Sequence, residues 1–80
     1  MKAKVYVVPK ESVLDPQGKA VQNSLHSLGF QEVQDVRVGR YIEIRLQAAT
    51  RDEAETAVRS MCEQLLANPI IDEFRYEIVE

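Results

Sequence analysis

The sequence predicts an α+β sandwich of the ferredoxin-like kind, with the element order βαββαβ. Three observations carry that expectation. Both ends of the chain alternate apolar and polar residues at a strand period, two internal stretches repeat apolar residues at a helical period, and two short alternating runs flank Gly39-Arg40 between them. Both helices are expected on one face of a four-stranded antiparallel sheet, in a single domain spanning residues 1–80.

The first strand is read over Lys2–Val8, where Ala3, Val5 and Val7 alternate with Lys2, Lys4 and Tyr6. Pro9 lacks a ladder donor and should end it or mark an edge. After a loop at 10–14, Asp15 is a good N-cap, and Pro16 suits the first helical position. The helix runs from about Pro16 to Leu28, with Val21, Leu25 and Leu28 on one face. Gly29 fits the C′ position, and Phe30 can pack back on Leu25. Gly18 is harder to explain, since a helical glycine costs about 1 kcal/mol relative to Ala. Either it precedes the true helix start, or something approaches the backbone closely there.

The runs Asp35–Val38 and Tyr41–Leu46 read as a hairpin turning at Gly39-Arg40. Parity strains that reading. A two-residue turn pairs residues whose numbers sum to 79, which sets Val36 and Val38 on the opposite face from Ile42 and Ile44. A different turn length or a bulge would restore a common face. Thr50 and Glu53 form a capping box for the second helix. Ala54, Ala57, Val58, Met61, Cys62, Leu65 and Leu66 follow at helical spacing. Asn68 suits a left-handed C′ position and Pro69 a stop. The last strand spans about Ile71–Val79, with Phe74, Tyr76 and Ile78 on one face.

Composition narrows the function classes. A domain of 80 residues buries only about 60% of its unfolded surface, so a staple or an oligomer is expected. One cysteine allows no intrachain disulfide, and one Cys with one His builds no zinc site. A net charge of −3 with interspersed signs argues against nucleic-acid binding. The apolar run ending at Pro9 is too short for a signal peptide or a membrane span, so a soluble, cytoplasmic chain is expected. No phosphate-cradling glycine loop is present. His26 points away from the apolar face with no acid or nucleophile beside it, and Cys62 reads as a core residue. No catalytic, cofactor-binding or metal-binding set is therefore expected. Tyr6, Val8, Tyr41 and Val79 fall on the sheet face away from the helices and form a candidate oligomer face. Arg37 and Arg40, flanking Gly39, are the exposed basic pair, either solvated or bound to a carboxylate or phosphate on a partner.

Val7-Val8-Pro9, Val13-Leu14-Asp15-Pro16-Gln17-Gly18-x-Ala20, Leu28-Gly29-Phe30 and Val36-Arg37-x-Gly39-Arg40 together resemble the PurS family across essentially the whole chain. That family is the small subunit of phosphoribosylformylglycinamidine synthase. Arg40 departs from the Lys common there, and the two cations differ in geometry. The resemblance implies a non-catalytic subunit that joins a glutaminase to a large synthetase. It helps ammonia pass between them, and ATP and Mg are used by the synthetase partner and not on this chain. The small core and the apolar residues on the open sheet face separately lead us to expect a homo-oligomer, a dimer or tetramer. Asp15, Gln17, Gly18, Arg37, Gly39 and Arg40 are the candidate docking residues.

Two other classes share the element order. A small-ligand-binding regulatory module would need its site at an oligomer interface. An acylphosphatase-like hydrolase would need an Arg in the loop after the first strand and a catalytic Asn. That loop offers Lys10, Glu11 and Ser12, and the asparagines are Asn23 and Asn68.

Overall fold

A computed structural model describes residues 1–80. In chain order the elements are β1 (Lys2–Pro9), α1 (Pro16–Ser27), β2 (Arg40–Arg45), α2 (Arg51–Met61), a single π-turn (Cys62–Leu66) and β3 (Asp72–Val79). β1 lies in the middle of a three-stranded antiparallel sheet of order β2-β1-β3. Its alternation has the predicted effect. Ala3, Val5 and Val7 point to one side and are fully buried, opposite Ile44, Ile42 and Arg40 on β2 and Ile78, Tyr76 and Phe74 on β3. α2 covers that side with Ala54 and Val58 and the π-turn with Cys62, all fully buried, and Ala67 closes the cluster. Thr50 Oγ1 accepts from the Glu53 N–H at 3.2 Å, as a capping residue should. The Glu53 carboxylate reaches one residue further back, to the Ala49 N–H.

Three expectations are corrected. The sheet has three strands, not four, because the chain does not turn back at Gly39-Arg40. Residues 33–39 run into β2 without pairing, and no residue besides Gly29 has positive φ, so no tight hairpin forms there. The second correction concerns the end of α2. Asn68 is not left-handed. Instead the helix widens into the π-turn, where Ala67 N–H donates to the Cys62 carbonyl. Asn68 then builds the turn into β3, its Oδ1 accepting from Ile70 N–H. Third, the apolar face of α1 does not enter the core. Val21 and Leu28 are exposed, and the residue α1 buries is Gly18.

α1 therefore stands off the sheet as an arm. It ends as predicted, with Gly29 at φ 103° and the Phe30 N–H donating to the Leu25 carbonyl. The chain then returns along α1. His26 Nε2–H donates to the Val33 carbonyl at 2.7 Å, and the Gln22 amide donates to the Gln34 carbonyl at 3.2 Å. The result is an elongated molecule, 50 × 25 × 14 Å, with a radius of gyration of 15.9 Å. A compact domain of this length would have about 12 Å. No helix is long and apolar enough to cross a membrane.

Candidate docking site

The arm joins the sheet at one point, and that point gathers the predicted docking residues. Asp15 is the bolt. Its Oδ1 accepts from Gly18 N–H at 3.0 Å, capping α1, while its Oδ2 accepts from Val38 N–H at 3.0 Å, 23 residues away. The bonds to Gly18 and Val38 hold the carboxyl below its ordinary range. Gly18 lets the two segments meet. A side chain there would run into the Val36 carbonyl oxygen and the Asp15 carboxylate. Gly39 plays the same part on the other side, where a Cβ would meet the Val7 carbonyl of the central strand.

Around this joint the charges are held by local partners. Arg37 Nη1 donates to the Pro9 carbonyl at 3.0 Å and to Glu73 at 2.6 Å. Arg40 donates to the Leu66 carbonyl at the end of the π-turn and lies 3.9 Å from Asp72. Two shallow clefts flank the joint. One, of about 310 Å³, is lined by Leu14, Asp15, Lys19, Gln34 and Arg37. The other, of about 290 Å³, is lined by Val7, Gln17, Val38, Gly39, Arg40 and Asp72. The six residues singled out in the sequence thus lie together, although they come from two segments. Gln17 and Arg40 are exposed there, whereas Gly18 is buried. The contributions of Pro9, Leu66, Asp72 and Glu73 had no signal in the sequence, because each is made through a backbone carbonyl or an ordinary carboxylate.

Tyr6, Val8, Tyr41 and Val79 all lie on the sheet face opposite α2, as expected. Tyr6 and Tyr41 rings are 5.2 Å apart, and the Arg75 guanidinium sits 4.0 Å from the Tyr6 ring centre. Tyr41 donates to Glu43 at 2.8 Å, and that bond pushes the phenol up to about 12. The rest of the face carries charges of both signs, with Lys2 paired to Glu43 and Arg75 to Glu77. It is a polar face with an aromatic centre.

The sequence profile of the PurS family, described as phosphoribosylformylglycinamidine (FGAM) synthase, matches residues 2–80. The chain belongs to the PurS family. Its similarity to individual members runs the full length. It is 56% identical over 79 residues to the phosphoribosylformylglycinamidine synthase subunit PurS of Bacillus subtilis, covering 99% of this chain and 93% of that one. The solved B. subtilis PurS structure superposes with a TM-score of 0.84, covering 99% and 98% of the two chains. The structure of PurLQS from Thermotoga maritima contains a chain that superposes at 0.86 with 27% identity, covering 98% and 95%. As a PurS-family chain, this protein is a small accessory subunit of the synthase, in purine biosynthesis.

The Asp15 bolt has a pH signature. A carboxyl held below its ordinary range in the fold stabilises above the unfolded value of about 3.9, and that stability is lost as pH falls through the lower folded value. The melting temperature should therefore fall on acidification below about pH 4. Asp15→Asn should lower the melting temperature at neutral pH and flatten the acid fall, because its amide NH₂ turns a donor toward one of two N–H groups. Parallel melting curves of both proteins between pH 3 and pH 7 check this. An unchanged acid slope in the variant would remove Asp15 as the cause.

Proposed function

We propose that this chain bridges the glutaminase and the large synthetase of the FGAM synthase complex and assists transfer of ammonia between them. The observation that carries this is the full-length likeness to PurS chains, one of them in the PurLQS structure of T. maritima. The reading places the complex in the cytoplasm and gives the small subunit no chemistry of its own. Its part is to hold two surfaces in register, and the elongated shape suits that task. The joint at Asp15, Gly18 and Gly39 sets the shape, and exposed Gln17 and Arg40 with Arg37 offer a partner polar contacts. Self-association belongs to the same reading. Eight buried apolar residues make a small core for 80, which association with a second copy enlarges. The open face around Tyr6, Val8, Tyr41 and Val79 is a further contact surface.

Reconstitution tests the bridging role. Glutamine-dependent synthase activity should drop at least about tenfold when this chain is left out, one order of magnitude being 1.36 kcal/mol of barrier. Activity on added ammonium salt should suffer less, because the step lost is delivery. Arg40→Ala should leave the fold within about 0.5 kcal/mol, as surface changes usually do, yet require more small subunit for full activity. Equal glutamine-dependent rates with and without the chain would overturn the bridging reading.

A further inference from the structure

We propose that the open face of the sheet is a binding site for a nucleoside 5′-monophosphate. The face carries, in three successive rows, groups that recognise a phosphate, a ribose and a base. The inference goes beyond the bridging role and does not depend on it.

The rows follow from strand register. β1 is the central strand, so each of its residues has one neighbour on β2 and one on β3. On the side away from α2, Lys2 lies between Arg45 and Val79, Lys4 between Glu43 and Glu77, and Tyr6 between Tyr41 and Arg75. Residues two apart on a strand are separated by about 6.8 Å, so the three rows span about 14 Å. The first row opens into the largest cleft of the molecule, about 540 Å³, whose lining includes Lys2, Lys4, Arg45, Gln47, Val79 and Glu80. Small-ligand pockets ordinarily enclose about 300–1,000 Å³. Lys4 and Arg45 form no ion pair within the chain, and Gln47 is exposed. Their donors are free for a phosphate, and Lys2 adds a third cation. Glu80 is the one opposing side chain in the cleft.

The second row is acidic on either side of its lysine. The Tyr41 hydroxyl and the Lys2 amine both approach Glu43 at Oε1, at 2.8 and 3.6 Å, and Arg75 approaches Glu77 at Oε1, at 3.5 Å. Each Oε2 is left to accept from a diol, as carboxylates do from the ribose of a dinucleotide. The same carboxylates repel a second phosphate, so the face suits one phosphate and one sugar and opposes a polynucleotide. In the third row the Arg75 guanidinium lies 4.0 Å from the Tyr6 ring centre and covers that ring. Tyr41, its ring 5.2 Å from that of Tyr6, is 51% exposed. A base therefore meets the Tyr41 ring and the outer side of the guanidinium, and both kinds of plane stack on bases. A chain of net charge −3 has no general attraction for anions, so binding has to come from this local arrangement.

An NMR titration of the full chain with adenosine 5′-monophosphate tests the site. The amide signals of Lys4, Glu43, Arg45 and Gln47 should shift, while those of α1 stay in place. The nucleotide should bind at least about tenfold more tightly than adenosine or inorganic phosphate, since each of these carries only part of what the rows recognise. Arg45→Ala and Tyr41→Leu should each weaken it about tenfold, the order that a charge-assisted contact or a stacked base is worth. Arg51→Ala makes the same charge change on α2 and should leave the affinity within about twofold. A second copy on this face would compete with the ligand, so the chain is titrated at low concentration. No shift at about 10 mM nucleotide would overturn the proposal. Inorganic phosphate matching the nucleotide would reduce the site to an adventitious ion only. Affinity for single-stranded oligonucleotides that grows with their length would replace the mononucleotide with a nucleic acid and overturn it as well.

Discussion

Gly39→Ala should lower the melting temperature by about 5–20 °C. The physical cause is space, not backbone conformation, because Gly39 does not have positive φ. A Cβ at this position would meet the Val7 carbonyl oxygen and come within 2.8 Å of Val8 Cγ1. Val7 cannot yield, since it sits in the central strand between Arg40 and Phe74 and is 1% exposed. Overpacking of this sort costs about 1–3 kcal/mol, and each kcal/mol moves the midpoint of a 60–100-residue domain by about 4–8 °C. Gly18→Ala makes an instructive comparison. There the helix-propensity gain of about 1 kcal/mol opposes a clash of about 1–3 kcal/mol with Val36 and Asp15. The net is about 0–2 kcal/mol, and the arm can shift where the central strand cannot. A Gly39→Ala melting curve superposed on the parent's, or a smaller loss than for Gly18→Ala, would sink the close-approach account.

The contrast between the two glycines also shows what the sequence could and could not disclose. α2 was legible because each signal was local: apolar residues at helical spacing, and Thr50 three residues before Glu53. β1 and β3 were legible for the same reason. The run 33–38 alternates like a strand, and side-chain alternation does state which residues share a face. It does not state what lies along the edge. A turn glycine and a close-approach glycine look identical in a sequence, so Gly39 pointed to a hairpin that the structure does not form. Asp15 was legible as a cap through Pro16, whereas its second bond joins a backbone N–H that any residue would carry at position 38. The docking residues could be singled out by charge and glycine, but their gathering at one joint depends on that bond.

Cys62 should be a concentration-sensitive reporter of the whole fold. The thiol is 0% exposed, packed among Val5, Val58 and Ala54, and burial pushes its pKa up. Only the thiolate attacks a disulfide reagent, so both access and ionisation protect it. Labelling then requires opening of the core. If opening costs at least about 5 kcal/mol, the low end for a native domain, the folded chain should react at least about 10³-fold more slowly than the same chain in concentrated urea. Self-association adds to this, because a partner that binds only the folded form stabilises it by mass action. Protection should therefore rise with chain concentration. Gly39→Ala should lower protection at any concentration, by about fivefold to 150-fold for a loss of about 1–3 kcal/mol. A folded-state rate within tenfold of the urea-unfolded rate would mean that α2 does not seal the sheet, and the burial of Cys62 would have to be abandoned.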